Sequence, residues 1–402
     1  MLSYSNILKR SLDLEISSVA DRLIDWRRHL HQHPELSSHE YQTREYIRNS
    51  LIDCGNFIFY PVKEPNLIAA IKGNKPGSKI AFKADLDALP IQELVNHSFS
   101  SSVPEVMHAC GHDAHIAILL GLANVLSKMK DKIEGEIILI FQSAEEIPPS
   151  GADDIISTHV LDDIEMIFDL HVNPEIESGI IATKPGPITA SIDQFEIEIT
   201  GQGGHASHPH ESIDTIVIGS EIVLALQNII SRKTNPLTPR ILTITQFMTP
   251  QLTHGLIPSK VILKGNLRTV DDDSRYNIKK LLEKMANGIA DAYEAKTDIR
   301  MLAGYNATIN SEDLALFVEK VAREYLPDGS YRRLAMPYLV GDSFSKYTDH
   351  FPGCFISLGV KLNNIDTIEY CHSNRFDIDE SSLQNGLKLL TYIAARKTMS
   401  LL

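Results

Sequence analysis

Apolar residues recur at helical spacing through the first stretch of the chain. Ile16, Val19, Leu23, Trp26 and Leu30 predict one helix over 15–33, closed near His33 because Pro34 disfavours helical backbone before it. A second helix is predicted from about Ser38 to Cys54. The period then shortens. Compact apolar runs at 57–61, 67–72 and 79–84 read as strands, and the last leads into Ala84-Asp85-Leu86-Asp87-Ala88-Leu89-Pro90. The run at 114–123 is apolar on every side and long enough for a buried helix. Strands follow at 136–142 and 166–171.

Near residue 185 the texture changes. Lys184-Pro185-Gly186-Pro187 reads as a linker. Beyond it come an alternating strand at 191–200, a helix at 214–231, strands at 240–249 and 260–269, and a long helix at 271–295. A β-α-β-β-α unit of about 100 residues is large enough to be an inserted domain. From about 310 helices and strands resume, with a final helix from Glu380. The pattern predicts an α/β protein with an open sheet, its first domain built from both ends of the chain (1–187 and 301–402) and a second domain at 188–300.

Composition narrows the class. At 402 residues two domains are the natural expectation. There are 38 basic and 52 acidic residues, a formal charge of −14, which argues against a nucleic-acid or anionic-membrane surface. No apolar run approaches membrane-span length, and Met1–Arg10 lacks the basic-then-apolar order of a signal peptide. Cysteines 54, 110, 354 and 371 are too sparse for a disulfide framework, so a reducing, cytoplasmic setting is expected.

The candidate chemistry centres on Met107-His108-Ala109-Cys110-Gly111-His112-Asp113-Ala114-His115, which packs one thiol, three imidazoles and one carboxylate into nine residues just before a helix. A thiolate and neutral imidazoles suit zinc and its neighbours. Taken alone, Cys110 and His112 fit a metal loop and a buried free cysteine equally well. His29, His31 and His33 look metal-like, but they fall on different helix faces or in a frayed end, which favours structural roles. What raises the metal reading is repetition: the strand before Asp85 and Asp87, the strand before Glu145 and Glu146, and the strand carrying Asp169 and His171 all end in metal-capable groups. Open α/β sheets put their sites at such carboxyl ends.

These segments, with Gly204-His205-Ala206 and His372 ahead of Phe376-Asp377, resemble the M20 metallopeptidase family in its aminoacylase/amidohydrolase branch, which includes hippurate hydrolases and plant auxin-conjugate hydrolases. The resemblance runs nearly the whole chain, in order. It implies a zinc-peptidase type of mixed-sheet catalytic domain with an inserted ferredoxin-like lid or dimerisation domain. It also implies two divalent ions per subunit (Zn, Mn, Co or Ni) held by Cys110, His112, Glu146, His171 and His372. By the same resemblance Glu145 is the general base, and His205, typically from the partner subunit of a homodimer, donates to the oxyanion. Asp87 belongs with the catalytic residues; Asp87 and Asp113 would fix histidine tautomers. The expected substrate is a small N-acyl amino acid, with no nucleic-acid or membrane partner.

Two stretches depart from the family pattern. Gly255-Leu256-Ile257-Pro258 stands where relatives usually have Asn-Val-Ile-Pro, and Gly341-Asp342-Ser343-Phe344 where they have Ser-Glu-Asp-Phe. Substrate identity is therefore the open point, with a dipeptidase or an N-acetyl-diaminopimelate deacetylase as alternatives within the family. A non-catalytic binding protein on the same scaffold would have lost its base, yet Glu145 is present. A structural zinc site is usually closed and four-coordinate, which five ligands and a spare glutamate do not match.

Overall fold

A computed structural model describes residues 4–250, 253–363 and 367–401; Met1–Ser3 of the N-terminal stretch lie outside them. The chain divides into two units. The first comprises Met1–Gly186, Ile309–Ala335 and Lys346–Leu402, and the second Pro187–Thr308 and Met336–Ser345.

The first unit is organised on an eight-stranded mixed sheet. Its spatial order is Ile58–Tyr60, Leu67–Lys72, Glu134–Gln142, Lys75–Asp85, Met166–Glu177, Gly353–Lys361, Ile181–Thr183 and Tyr331–Arg333. The four central strands, from Glu134–Gln142 to Gly353–Lys361, run parallel. Strands buried on both faces need continuous apolar runs, and 137–141 (Ile-Ile-Leu-Ile-Phe) is such a run, wholly buried. Parallel register lines up their carboxyl ends: Asp85 lies opposite Gln142, Lys83 opposite Asp169, and Ser357 opposite His171. The helix His112–Lys128 is buried from His112 through Leu126, which explains its apolar residues on every side.

The predicted helix over 15–33 is two helices, Tyr4–Ser18 and Ala20–Gln32. The hydroxyls of Ser17 and Ser18 donate back to the carbonyls of Asp13 and Glu15, offering the backbone a local alternative just where the helix breaks. The next helix begins at Tyr41 rather than Ser38, with Glu40 at its N-cap position.

The second unit has its own core and a four-stranded antiparallel sheet in the order Arg240–Met248, Lys260–Thr269, Ser191–Thr200 and Lys296–Ala303. The last strand carries this unit past residue 300, where the sequence reading ended it, because it pairs with Ser191–Thr200 along its full length. The expectation of no membrane-length apolar run also needs correction. The helix Thr215–Arg232 meets the length and composition of a span, with mean hydropathy 1.3. Its inward residues Ile218, Ile222, Leu226 and Ile229 belong to the core of this unit. Asp214 caps it, accepting from the backbone N–H groups of Ile216 and Val217.

Candidate metal centre

Four of the expected ligands come from the sheet and the loops after its strands, and Gly111 shows why the local chain must be as it is. It separates Cys110 from His112 in the left-handed region, φ +81°, and a Cβ there would meet Val172 Cγ2 at 2.4 Å. The tight turn places His112 as the first residue of the buried helix. The fifth ligand arrives from the far end of the chain, where the His372 N–H donates to the Ala109 carbonyl at 2.8 Å.

The donor atoms converge. Cys110, His112 and His171 bring theirs within 4.8 Å of one another, and so do Cys110, Glu146 and His372. A third such trio is His112, Glu145 and Glu146. Cys110 Sγ lies 3.5 Å from His171 Nε2, and His372 Nε2 lies 3.2 Å from Glu146 Oε1. All five expected ligands and Glu145 thus fall in one cluster, with Cys110 shared between two trios.

Two of the three imidazoles are held by their far nitrogens. His112 Nδ1 donates to the Asp87 carbonyl at 2.8 Å, with Asp87 Oδ1 3.2 Å away, and His171 Nδ1 donates to the Val172 carbonyl at 2.7 Å. Each leaves its Nε2 lone pair facing the cluster, the arrangement that metal-bound histidines require. His112 Nε2 is buried with no hydrogen-bond partner among the described residues. Burial works to lower the His112 pKa, but the hydrogen bond to Asp87 and the charges of Asp87, Asp85 and Glu146 outweigh it and raise it well above the usual value. The Cys110 thiol is pushed well up by its contact with the Cys371 thiol, then by burial, Glu146 and Glu145. The centre is therefore rich in anionic groups that want a neighbouring positive charge. One thiolate, carboxylate and imidazoles in two trios fit a pair of borderline-soft divalent ions.

The remaining residues sort differently from the sequence expectation. Asp87 does touch His112, and its Oδ2 accepts from the Ser37 hydroxyl at 2.7 Å and the Glu146 N–H at 3.0 Å. The histidine that Asp113 holds is His31, which is not one of the expected ligands. Asp113 pairs with Arg27 Nε at 2.9 Å and His31 Nδ1 at 2.8 Å in a buried network. Burial pulls the Asp113 pKa up, but Arg27 and His31 prevail and hold it far below the usual range. His31 keeps the structural role expected of it, whereas His108 is buried, joins none of the donor groups among the described residues and is lowered to about 4 by burial.

His205 belongs to the second unit. It is exposed on a two-residue strand, and its Nδ1 accepts from the Ser207 N–H at 3.1 Å, so its proton sits on Nε2 as a donor. The departing stretch 255–258 is its neighbour: Leu256 pairs with His205, and the Ala206 N–H donates to the Gly255 carbonyl at 3.0 Å. At the other departure a Cβ on Gly341 would meet Ile192 Cδ1 at 2.4 Å, so the Ile192 side chain would have to shift to admit a larger residue.

Sequence reasoning missed the segment before the helix Tyr41–Cys54. Glu40 is fully buried and accepts from the Ser143 hydroxyl and the Ala144 N–H, both at 2.8 Å. The only signal available was an acidic residue at a helix start whose local partners are not evident.

A sequence model described as Peptidase family M20/M25/M40 matches residues 81–396. An N-acyl-L-amino acid amidohydrolase of Geobacillus stearothermophilus is 39% identical over 76% of this chain and 82% of its own length. Thermostable carboxypeptidase 2 of Saccharolobus solfataricus is 35% identical over 94% of this chain and 96% of its own. Among solved structures, the Bacillus subtilis YXEP protein, described as a dinuclear metal-binding peptidase of the M20 family, superposes with a TM-score of 0.82 at 30% identity, covering 96% of this chain and all of that one.

Proposed function

The chain belongs to peptidase family M20/M25/M40, and on that premise we propose that it is a metal-dependent amidohydrolase cleaving N-acyl amino acids to a carboxylate and a free amino acid. One observation carries the reading: two donor trios share Cys110, and Glu145 stands within reach of both His112 and Glu146. Cys110, His112, Glu146, His171 and His372 would hold two divalent ions. When bound, such ions acidify water and polarise the amide carbonyl.

The residues of the chain do the rest. Glu145 immediately precedes the proposed ligand Glu146, so one carboxylate can hold metal while the other takes the proton of the attacking water. Glu145 then delivers that proton to the leaving amine as the C–N bond breaks. Asp87 fixes the His112 ring and the Glu146 backbone at the same time. His205, as an Nε2–H donor, is proposed to stabilise the oxyanion, and to do so from the partner copy of a homodimer formed through the second unit.

The carboxypeptidase among the relatives keeps peptide substrates in view as the second reading. The test is a panel of N-acetyl, N-benzoyl and indole-acyl amino acids beside dipeptides, with metal-stripped protein reloaded with Zn²⁺, Mn²⁺, Co²⁺ or Ni²⁺. Metal-dependent release of free amino acid from the N-acyl compounds is expected. Turnover of dipeptides alone would move the assignment to a peptidase.

A further inference from the structure

Ala144 sits in the left-handed region, φ +53°, immediately before Glu145 and Glu146. A residue with a Cβ holds that conformation only where its surroundings over-determine it. Here the surroundings are hydrogen bonds from distant parts of the chain. Asn66 Oδ1 accepts from the Ser143 N–H at 2.8 Å, and the Ser143 carbonyl accepts from the Gly151 N–H at 2.9 Å. Glu40 takes both the Ser143 hydroxyl and the Ala144 N–H.

Glu40 stands out among these. It occupies the N-cap position of its own helix, yet its side chain makes no capping bond there. It is directed instead at residues a hundred positions away. Its neighbours behave alike: Ser37 donates to Asp87, Leu36 bridges to Ala88, and the Ala88 N–H donates to the Glu35 carbonyl at 2.8 Å. One short segment, 35–40, thus grips both carboxylate-bearing loops of the centre, 85–88 and 143–146.

We propose that Glu40 is a positioning residue for the hydrolysis: by holding Ser143 and Ala144 it sets the left-handed turn from which Glu145 and Glu146 reach the metal cluster. The proposal rests on the hydrolase reading above. Burial of an ionisable group for a task that neutral acceptors do elsewhere in the same loop is consistent with a demand for two simultaneous hydrogen bonds in a fixed geometry.

The experiment uses the full-length, metal-loaded protein and four variants: Glu40→Ala, Glu40→Gln, Glu40→Ala with Ala144→Gly, and Ala144→Val. Hydrolysis of an N-acyl amino acid, thermal midpoint and ion retention during dialysis against a chelator are measured for each. Glu40→Ala should lower kcat about 100-fold with KM nearly unchanged, the scale of a small misplacement of reacting groups, and should release its ions faster. Glu40→Gln, nearly isosteric and able to keep both contacts, should restore most of kcat. Glycine adopts positive φ freely, so Ala144→Gly should return about tenfold of what Glu40→Ala lost. A role in core packing alone would show no such rescue. The proposal is overturned if Glu40→Ala keeps kcat within about threefold of wild type, or if neither Gln nor the added glycine recovers activity. Should Glu40→Ala fail to fold, Ala144→Val decides: a kcat loss above about tenfold in protein that is still folded and ion-loaded at the assay temperature supports the proposal, and a smaller loss ends it. Should wild type hydrolyse no N-acyl amino acid, the hydrolase reading fails on its own, and faster ion release from Glu40→Ala still tests the grip on the 143–146 loop.

Discussion

Glu145 and Glu146 are adjacent and chemically identical, but their neighbours differ. Glu146 shares a trio with Cys110 and His372, whereas Glu145 meets the cluster through His112 and Glu146. Glu145→Gln should retain both ions yet lose about 10²- to 10⁴-fold in kcat, since an amide cannot accept the proton of water. Steady-state kinetics beside elemental analysis checks this; a drop under about tenfold would move the base role to another residue. Glu40 makes a separate prediction for the metal-free protein. Burial pushes its carboxyl up to about 7 from an ordinary 4.5, despite the hydrogen bonds that favour the charge. Because the folded pKa is the higher one, the fold binds an extra proton between those values, and stability declines as pH rises from about 4.5 to about 7. The full cost is on the order of 3 kcal/mol. Glu40→Gln should therefore raise the thermal midpoint at pH 8 and leave it nearly unmoved at pH 4.5. The candidate ligands could be picked out in the sequence because each lies in a short motif beside a strand or helix end. Glu40, Ser37 and Arg27 could not be, since their partners lie 50 to more than 100 positions away and nothing local marks them.

At the scale of elements, the buried strands and the helix after His112 could be read from their apolar runs, because burial on every side leaves a continuous signature. The break at Val19 could not, because the pattern of apolar positions runs straight through it and only the serine hydroxyls signal the interruption. The helix Thr215–Arg232 carries apolar residues on two sides. Ile218, Ile222 and Leu226 are buried, while Val217 and Leu224 are exposed, Leu224 by 70%. The edge strand Arg240–Met248 likewise exposes Phe247 and Met248. In the proposed homodimer these surfaces are covered. Leu224→Asp should shift the protein to monomer at micromolar concentration, read by light scattering after gel filtration, without lowering the thermal midpoint of the second unit. The loop at 255–258 makes an opposite forecast. A Cβ at Gly255 meets no atom of the described residues within 4 Å, so Gly255→Asn should change stability by less than about 0.5 kcal/mol in a denaturant titration.

For the whole molecule the sequence legibly announced two domains, and the exact seam was hidden because the strand at 296–303 lies past the last strong helix signal. Assembly gives the prediction at this scale. Glu145→Ala and His205→Ala are each expected to inactivate the protein. If His205 serves the neighbouring copy, a mixed dimer of the two variants collects both defects in one centre and none in the other. Purified mixed dimer should then show about half of wild-type activity, taking the two centres of a two-fold dimer as independent. A properly assembled, metal-loaded and inactive mixed dimer would assign His205 to its own chain.

The strand Gly353–Lys361 lies between Met166–Glu177 and Ile181–Thr183. Those two neighbours leave the ribosome early, and their partner follows only after the whole second unit has been made. At ordinary translation speeds the interval is roughly 10–40 s. Throughout it, the nascent first unit carries an apolar strand with one edge unpaired, which is a template for association with other chains. The second unit, contiguous from 187 to 308 apart from its short return at 336–345, is free to fold during that wait. His372 is made later still, so the proposed metal centre is completed only near the end of synthesis. Biogenesis of this protein is thus the stage at which it is most exposed to aggregation and least able to retain metal.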